Sequence, residues 1–291
     1  MKPIFRSKRA AAEVLDVYRR TLAYWPAPCR HLTLPTREGH TFVLASGPEH
    51  APAVLLLHGS QTNSASWMRY VSDWAQRFRV YAIDVIGEAG LSAPSRPPLA
   101  SDAYALWLDD VMQALQLDRA AMVGISLGAW MALDFAIRKP ARVERLALLC
   151  PSGIGRQKPF LLKIAPLLLL GAWGRRRIRD IVLGPMPDDL QPADRAMLDL
   201  METIDRGFRP RLGTIPVFTD AQLRTLAVPL LTMLGGRDAL LDSTESLARL
   251  RRLVPHADVR YFAEQPHFIR GQGDAIAGFL AAREEALHRA I

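Results

Sequence analysis

Five short, largely apolar runs constrain the fold of this chain more than any other feature of its sequence. They lie at 52–59, 78–84, 120–126, 143–150 and 228–236, and such runs are typical of strands that are buried on both faces. The segments between them include "WMRYVSDWAQR", "YALWLDDVMQALQ" and "GAWMALDFAIRKP", which have apolar residues at helical spacing. Strand and helix therefore alternate, which predicts an α/β fold with a mostly parallel central sheet and helices on both faces.

The rest of the chain predicts an N-terminal helix, an antiparallel hairpin and an inserted segment. Residues 9–24 have the spacing of an amphipathic helix, and the following "RHLTLPTREGHTFVLASG" is typical of two antiparallel edge strands. The last strand is predicted at "ADVRYFAE" and the closing helix at "GDAIAGFLAAREEALHRA", which includes His288. After the fourth apolar run, about 75 residues contain only helical pieces, so we predict a core of 1–151 and 226–291 with a helical cap at 152–225.

The charge of the chain bears on its partners. With 37 Lys and Arg against 29 Asp and Glu, the net charge is +8, an excess that would suit nucleic acid or an anionic membrane. The arginines are spread along the chain, however, and the densest cluster, "GRRRIR" at 174–179, has no interleaved aromatic residues to stack on bases. We therefore predict no nucleic-acid partner.

Three further features bear on the location of the protein. Glu13 and Asp16 interrupt the apolar region that a signal peptide requires, so we predict a cytoplasmic protein. The longest apolar run, "FLLKIAPLLLLGAW" at 160–173, contains a lysine and a proline and falls short of the roughly 20 residues of a membrane span. It predicts a cap or core helix and no transmembrane segment. Cys29 and Cys150 are predicted to be free thiols, as in a reducing compartment.

The pentapeptide "GISLG" at 124–128 is the main candidate for chemistry. Ser126 follows a buried strand and precedes a helix, the context of a nucleophile elbow, in which glycines at 124 and 128 let the two backbones pass closely. The same glycines would also suit a tight strand-to-helix junction without a catalytic role. A serine hydroxyl is a poor nucleophile unless a base takes its proton, so the pentapeptide needs partners elsewhere in the chain.

A carboxylate and a histidine follow later strands of the predicted sheet. Asp238 comes directly after the buried run at 228–236, and His267 lies in the loop "QPHFI" between the last strand and the final helix. Asp242 competes with Asp238 as the acid, but its position before "STESLARL" is typical of a helix N-cap. The chain order Ser126, Asp238, His267 therefore predicts a nucleophile, an orienting acid and a general base.

Two backbone N–H groups are expected to hold the negative oxygen of a tetrahedral intermediate. The elbow supplies the N–H of Leu127. The loop "LLLHGSQTN" after the first parallel strand supplies the N–H of Ser60, with Gln61 as the reserve donor. His58, just before the glycine of this loop, is predicted to brace the loop by hydrogen bonds.

These motifs resemble those of the α/β-hydrolase superfamily, and the resemblance covers nearly the whole chain. It is carried by "LLLHG", "YAIDVIGEAGLS", "GISLG", "GGRD" and "PHF". The loop after Asp84 is one residue longer than in many members, and together with the N-terminal helix it is most similar to bacterial serine carboxylesterases. The resemblance implies ester hydrolysis through an acyl-serine, without a metal or an organic cofactor, on a small-molecule ester.

Several alternatives stay open. A serine in place of aspartate argues against dehalogenases and epoxide hydrolases, and "SQTN" lacks the glycine-rich loop of many carbon–carbon bond hydrolases. Lactonase, thioesterase and carbon–carbon bond hydrolase activities remain, as do an acyltransferase and a non-catalytic ligand-binding protein on the same fold. The leucines of 160–173 indicate either core packing or a substrate wall for an apolar group.

Overall fold

The computed structural model describes residues 3–185, 189–211 and 213–282. Among them, eight strands form one sheet in the order β1-β2-β4-β3-β5-β6-β7-β8. The strands are β1 (Cys29–Thr36), β2 (Gly39–Ser46), β3 (Ala53–Leu57), β4 (Arg79–Ile83), β5 (Ala120–Ile125), β6 (Val143–Leu149), β7 (Leu230–Gly235) and β8 (Asp258–Phe262). β2 pairs antiparallel with β1 and β4, and the remaining neighbours pair parallel.

The five apolar runs form the centre of this sheet as strands β3 to β7, and both of their faces are buried. The described helices are α1 (Lys8–Leu22), α2 (Met68–Trp74), α3 (Ala103–Ala114), α4 (Leu127–Arg138), α5 (Phe160–Leu168), α6 (Gly171–Leu183), α7 (Pro192–Gly207), α8 (Asp220–Arg224), α9 (Ser243–Leu253) and α10 (Gly273–Ala281). One buried cluster contains Trp107 and Phe135 from α3 and α4, and a second contains Trp74 and Ile276 from α2 and α10. Helices therefore cover both faces of the sheet, which confirms the predicted fold.

The predicted terminal elements are found with shifted bounds. Ser7 caps α1 by accepting a hydrogen bond from the Ala10 N–H at 3.0 Å, and α1 ends at Leu22, two residues before the predicted end at 24. The hairpin of β1 and β2 is antiparallel and lies at one edge of the sheet, as expected. The predicted closing helix begins as α10, while the rest of it, with His288, lies outside the described residues.

The segment 152–225 contains α5 to α8 and, among its described residues, no strand of the sheet. Its division from the core as a cap stays a prediction. The apolar run at 160–173 is not one helix, because the chain turns at Leu169 and Leu170 between α5 and α6. Core packing of its leucines was the wrong expectation for this turn, since Leu169 is 88% exposed, although Ile164 is buried.

None of the described helices is long and apolar enough to cross a membrane.

Candidate active site

Ser126 occupies a strained turn between β5 and α4. Its backbone has φ 53° and ψ −109°, in the positive-φ region that residues other than glycine rarely adopt. The Ser126 N–H donates to the Leu149 carbonyl of β6 at 3.0 Å, and its own carbonyl accepts from the N–H groups of Trp130 and Ser152. These three hydrogen bonds hold a half-buried serine in a conformation that would otherwise cost about 1–3 kcal/mol.

The glycines on either side of Ser126 are required by close backbone approach. A methyl group on the Gly124 Cα would lie 2.5 Å from the Ala129 Cα, inside van der Waals contact with α4. A methyl group on Gly128 would collide with the carbonyl oxygen of Leu57 at the end of β3. Both glycines therefore let α4 begin directly against the sheet, as the sequence predicted.

Replacing Gly128 with alanine is expected to lower the free energy of unfolding by about 1–3 kcal/mol or more, because backbone must move to admit the methyl group. Gly278 provides the matched control: it lies on the exposed face of α10, and a methyl group there meets nothing within 4 Å. Gly278→Ala should raise stability by about 0.5–1 kcal/mol. Urea unfolding of both variants measures the difference, and equal effects would contradict the packing argument.

Asp238 and His267 form a buried hydrogen-bonded pair. The His267 Nδ1 lies 2.7 Å from the Asp238 Oδ2, with the histidine side chain 8% exposed and the carboxylate 0% exposed. An ionised carboxylate only accepts hydrogen bonds, so Nδ1 carries a proton, and in the neutral imidazole Nε2 then has the free lone pair. The imidazole is thereby held in the tautomer that can accept a proton from a hydroxyl.

The other oxygen of Asp238 is bound by the backbone. Asp238 Oδ1 accepts from the N–H groups of Leu240 at 2.7 Å and Leu241 at 3.0 Å. Burial by itself raises the pKa of Asp238, but the hydrogen bonds from His267 and from these N–H groups outweigh it, so the pKa lies below its usual value. Asp242, the competing acid, caps α9 by accepting from the Glu245 N–H at 2.9 Å, as predicted.

Sheet topology brings Ser126 to the same edge as this pair. Strands β5, β6, β7 and β8 are consecutive neighbours, and Ser126, Cys150, Asp238 and His267 follow their carboxyl ends in that order. Ligands of parallel sheets bind at this edge. The turn after β7 depends on Gly235, since a methyl group there would overlap the backbone carbonyl of Pro266, next to the histidine.

Cys150 lies beside the pair, although the sequence analysis assigned it no role at the site. Its Sγ, a carboxylate oxygen of Asp238 and a ring nitrogen of His267 lie within 4.8 Å of one another. Burial and the neighbouring carboxylate raise the pKa of the Cys150 thiol well above its usual value. A metal would need the thiolate and the imidazole lone pair, so this cluster fits a hydrogen-bonded thiol better than a metal centre.

The loop after β3 passes close to Ser126. A methyl group on Gly59 would lie 3.6 Å from the Ser126 Cβ, so this loop lines the site. Within the residues that the structure describes, the N–H groups of Ser60 and Leu127 donate to no protein acceptor. The N–H of Gln61, the reserve donor, is instead engaged with the carboxylate of Glu88 at 2.8 Å.

His58 braces this loop, as the sequence predicted. Its Nε2 accepts from the Val85 N–H at 2.9 Å, so the proton is on Nδ1, which donates to the Gly59 carbonyl at 2.8 Å. Burial lowers the pKa of His58. The imidazole is therefore a neutral bridge between the loops that follow β3 and β4.

Asp84 orders the loop after β4. Its Oδ1 accepts from the Tyr18 hydroxyl at 2.8 Å and from the Ser64 N–H at 2.9 Å, while its Oδ2 accepts from the Leu91 N–H at 2.7 Å. A methyl group on Gly90 would lie 2.5 Å from this carboxylate. The glycine-containing loop therefore wraps around a buried aspartate that also ties down α1.

Helix α6 of the 152–225 segment reaches the histidine loop. The Val182 carbonyl accepts from the Phe268 N–H at 3.3 Å, one residue after His267. At the other end of the segment, the Pro216 carbonyl accepts from the Trp130 indole at 2.9 Å, and Phe218 stacks on that ring. The segment thus contacts the core on both sides of the candidate site.

The sequence model of the Alpha/beta hydrolase family matches residues 54–279, which span β3 to α10 and include every candidate site residue. The chain belongs to the alpha/beta hydrolase family.

Within this family, the chain is similar to bacterial carboxylesterases, as the sequence motifs predicted. It is 32% identical to the uncharacterized carboxylesterase nap of Bacillus subtilis strain 168, over 87% of this chain and 86% of that protein. It is 31% identical to carboxylesterase YbfK of the same strain, over 91% and 90% of the two chains. The crystal structure of naproxen esterase from Bacillus subtilis superposes with a TM-score of 0.80 at 29% identity, covering 98% of this chain and 99% of that one.

Glu88, like Cys150, is a residue of this hydrolase site that sequence reasoning missed. Glu88 is 2% exposed, and its Oε2 accepts a hydrogen bond from the Gln61 N–H. Gln61 itself has a positive φ of 59°. Burial raises the pKa of Glu88 to about 7, although the Gln61 N–H and the cations of Arg96 and Arg211 act in the opposite direction. The only sequence signal was its place in the lengthened loop after Asp84.

The raised pKa of Glu88 predicts a pH-dependent loss of stability. Because the pKa of about 7 in the folded protein exceeds the ordinary value of 4.5, folding favours the protonated carboxyl. The contribution of Glu88 to the free energy of unfolding is therefore complete below pH 4.5 and is lost as the pH rises through 7. At about 1.4 kcal/mol per pK unit, the loss amounts to roughly 3 kcal/mol. Glu88→Gln should lack this dependence, so urea unfolding from pH 4.5 to 8 should show wild-type stability falling relative to the variant. Stability profiles of the wild type and the variant that run parallel over this pH range would refute the prediction.

Proposed function

We propose that this hydrolase cleaves carboxylic esters through a covalent acyl-enzyme on Ser126. The hydrogen bond between Asp238 and His267 is the observation that carries the proposal, because it orients the imidazole at the sheet edge where the half-buried Ser126 lies. The similarity to carboxylesterases of Bacillus subtilis supports an ester as the substrate. We propose a small-molecule ester with an apolar group, no nucleic-acid partner, and no cofactor in the reaction.

The proposed reaction has two halves. His267 Nε2 takes the Ser126 proton as Oγ attacks the ester carbonyl, and the N–H groups of Ser60 and Leu127 hold the oxyanion. Collapse of the tetrahedral intermediate breaks the bond to the alcohol, which leaves with the proton from His267. Water then attacks the acyl-serine, giving its proton to the same nitrogen, and the acid leaves as the serine regains a proton. Asp238 stays ionised throughout and stabilises the imidazolium.

The choice of Ser60 over Gln61 as oxyanion donor is supported by the Glu88 carboxylate. Since that carboxylate occupies the Gln61 N–H, the Ser60 N–H is the free donor of the loop. The Leu127 N–H is the first of α4, where backbone N–H groups have no partner within the helix. Two unengaged donors therefore flank the serine.

Cytoplasmic location and a capping role for 152–225 stay predictions.

Covalent labelling tests this proposal. The protein is treated with an alkyl p-nitrophenyl phosphonate, digested and analysed by mass spectrometry, while a series of p-nitrophenyl esters of increasing acyl length is assayed. We expect one phosphonylated residue, Ser126, and turnover that depends on acyl length. A label on any other residue would exclude the mechanism, and absence of both label and turnover would favour a binding protein. Release of a new ester when an alcohol is added would indicate acyl transfer.

A further inference from the structure

The turn between α5 and α6 exposes an unusual group of large apolar side chains. We define the apolar tip as Leu168, Leu169, Leu170 and Trp173. Their exposed fractions are 53%, 88%, 53% and 61%, and all residues from 168 to 173 are exposed. Scattered apolar residues are normal on a protein surface, whereas a contiguous cluster marks an interaction site.

A group of cations lies next to the apolar tip. We define the basic collar as Lys163, Arg175, Arg176 and Arg177, all exposed. In the described part of the chain, none of the four forms a salt bridge or a side-chain hydrogen bond. The sequence contains no aspartate or glutamate from 151 to 179. Among the described residues, Arg175 acts electrostatically on the carboxylate of Asp205 in α7, so the protein itself compensates the charge of this surface only in part.

The fold holds the tip away from the core. Gly174 allows α6 to pack closely on α5, since a methyl group there would overlap the Leu167 carbonyl, and Ile164 is buried. Gly174 and Ile164 thus lie on the inner, packed face of α5 and α6. The far end of α6 contacts the histidine loop, and a helix of 13 residues is about 20 Å long, so the tip lies well away from the reacting atoms.

We propose that the apolar tip and the basic collar together form a docking surface for an anionic lipid bilayer. Leucine and tryptophan side chains partition into the boundary between headgroups and acyl chains, while adjacent arginine and lysine side chains pair with anionic headgroups. This combination fits the tip and collar. The inference does not depend on ester hydrolysis, because it concerns binding at a surface remote from Ser126.

Charge favours a bilayer over a second copy of the chain. In a two-fold symmetric dimer through the tips, the collar of one protomer would approach the same four cations of its partner. Nucleic acid would pair with the collar but would leave the four apolar side chains in water. An anionic bilayer accommodates both the apolar and the charged groups.

Tryptophan fluorescence gives a local test of this docking. Trp173 is the exposed tryptophan, because the other five, Trp25, Trp67, Trp74, Trp107 and Trp130, are at most 9% exposed. Vesicles of brominated phosphatidylcholine with phosphatidylglycerol should quench wild-type emission. Trp173→Phe should keep vesicle binding but lose the quenching. Binding without quenching of Trp173 would show that another surface docks and would overturn the proposal.

Cosedimentation with vesicles tests the two parts separately. Leu169→Gln with Trp173→Gln should weaken binding at least about tenfold, whereas Tyr24→Gln with Val217→Gln, exposed elsewhere, should not. Neutralising Arg175, Arg176 and Arg177 to glutamine should weaken binding about a hundredfold, from roughly fivefold per cation, and should reduce its salt dependence, because only Lys163 of the collar remains.

Matched controls separate docking from net charge and from catalysis. The triple change of Arg119, Arg224 and Arg251 to glutamine removes the same charge from exposed positions elsewhere and should leave binding within about twofold. All tip and collar variants should keep wild-type hydrolysis of a soluble p-nitrophenyl ester, if the proposed activity holds. Equal binding to pure phosphatidylcholine vesicles, or a wild-type dimer that the tip variant converts to a monomer by light scattering, would overturn the proposal.

Discussion

Ser126→Ala is expected to lower kcat for a short-chain p-nitrophenyl ester by about 10⁵–10⁶-fold, because the acyl-enzyme can no longer form. The residual rate would come from water held near the oxyanion donors. The elbow should survive, since the hydrogen bonds that hold residue 126 involve only its backbone N–H and carbonyl. Alanine at φ 53° carries the same strain as serine, so the thermal midpoint should change by only a few degrees. Initial rates and thermal unfolding of the purified variant measure both effects.

Ser72→Ala is the matched control for this change. Ser72 is an exposed residue of α2 whose side chain makes no hydrogen bond within the described residues. The variant should hydrolyse the ester at the wild-type rate and show no loss of stability. A Ser126→Ala protein that retained more than a percent of wild-type turnover would contradict the mechanism, since only the hydroxyl has been removed.

The central sheet could be predicted from the sequence because its signal is local. Strands β3 to β7 are buried on both faces, so each appears as an apolar run. The pairing of Asp238 with His267 could also be predicted, because the carboxyl ends of neighbouring parallel strands meet at one edge of the sheet. The close approach of α4 to β3 could likewise be predicted, because it requires the glycine at 128.

The remaining features depend on contacts between distant segments. Glu88 is buried, and it interacts with the Gln61 N–H and with the cations of Arg96 and Arg211. These groups are distant in the chain, so the sequence around residue 88 does not predict the contacts. The leucines of 160–173 indicated either core packing or a substrate wall, because composition reports how apolar a segment is and not what covers it. In the fold, the turn between two helices carries the leucines at 168–170 into solvent.

Asp238→Asn is expected to lower kcat about 10⁴-fold through the tautomer of His267. The Asp238 Oδ1 accepts from two backbone N–H groups, those of Leu240 and Leu241. An asparagine would keep its carbonyl oxygen there and turn its NH₂ group toward the His267 Nδ1, 2.7 Å away in the wild type. Nδ1 must then accept the hydrogen bond, so the imidazole proton moves to Nε2 and the nitrogen facing the serine can no longer act as a base.

Two measurements distinguish this tautomer effect from a general loss of structure. Nitrogen NMR of labelled histidine should show the His267 proton on Nδ1 in the wild type and on Nε2 in the variant. Asp242→Asn is the matched control, because Asp242 caps α9 and asparagine is an equally good N-cap; it should retain wild-type kcat. An Asp238→Asn variant with the wild-type tautomer and a comparably reduced kcat would show that the negative charge of Asp238, and not the position of the proton, supplies its contribution to catalysis.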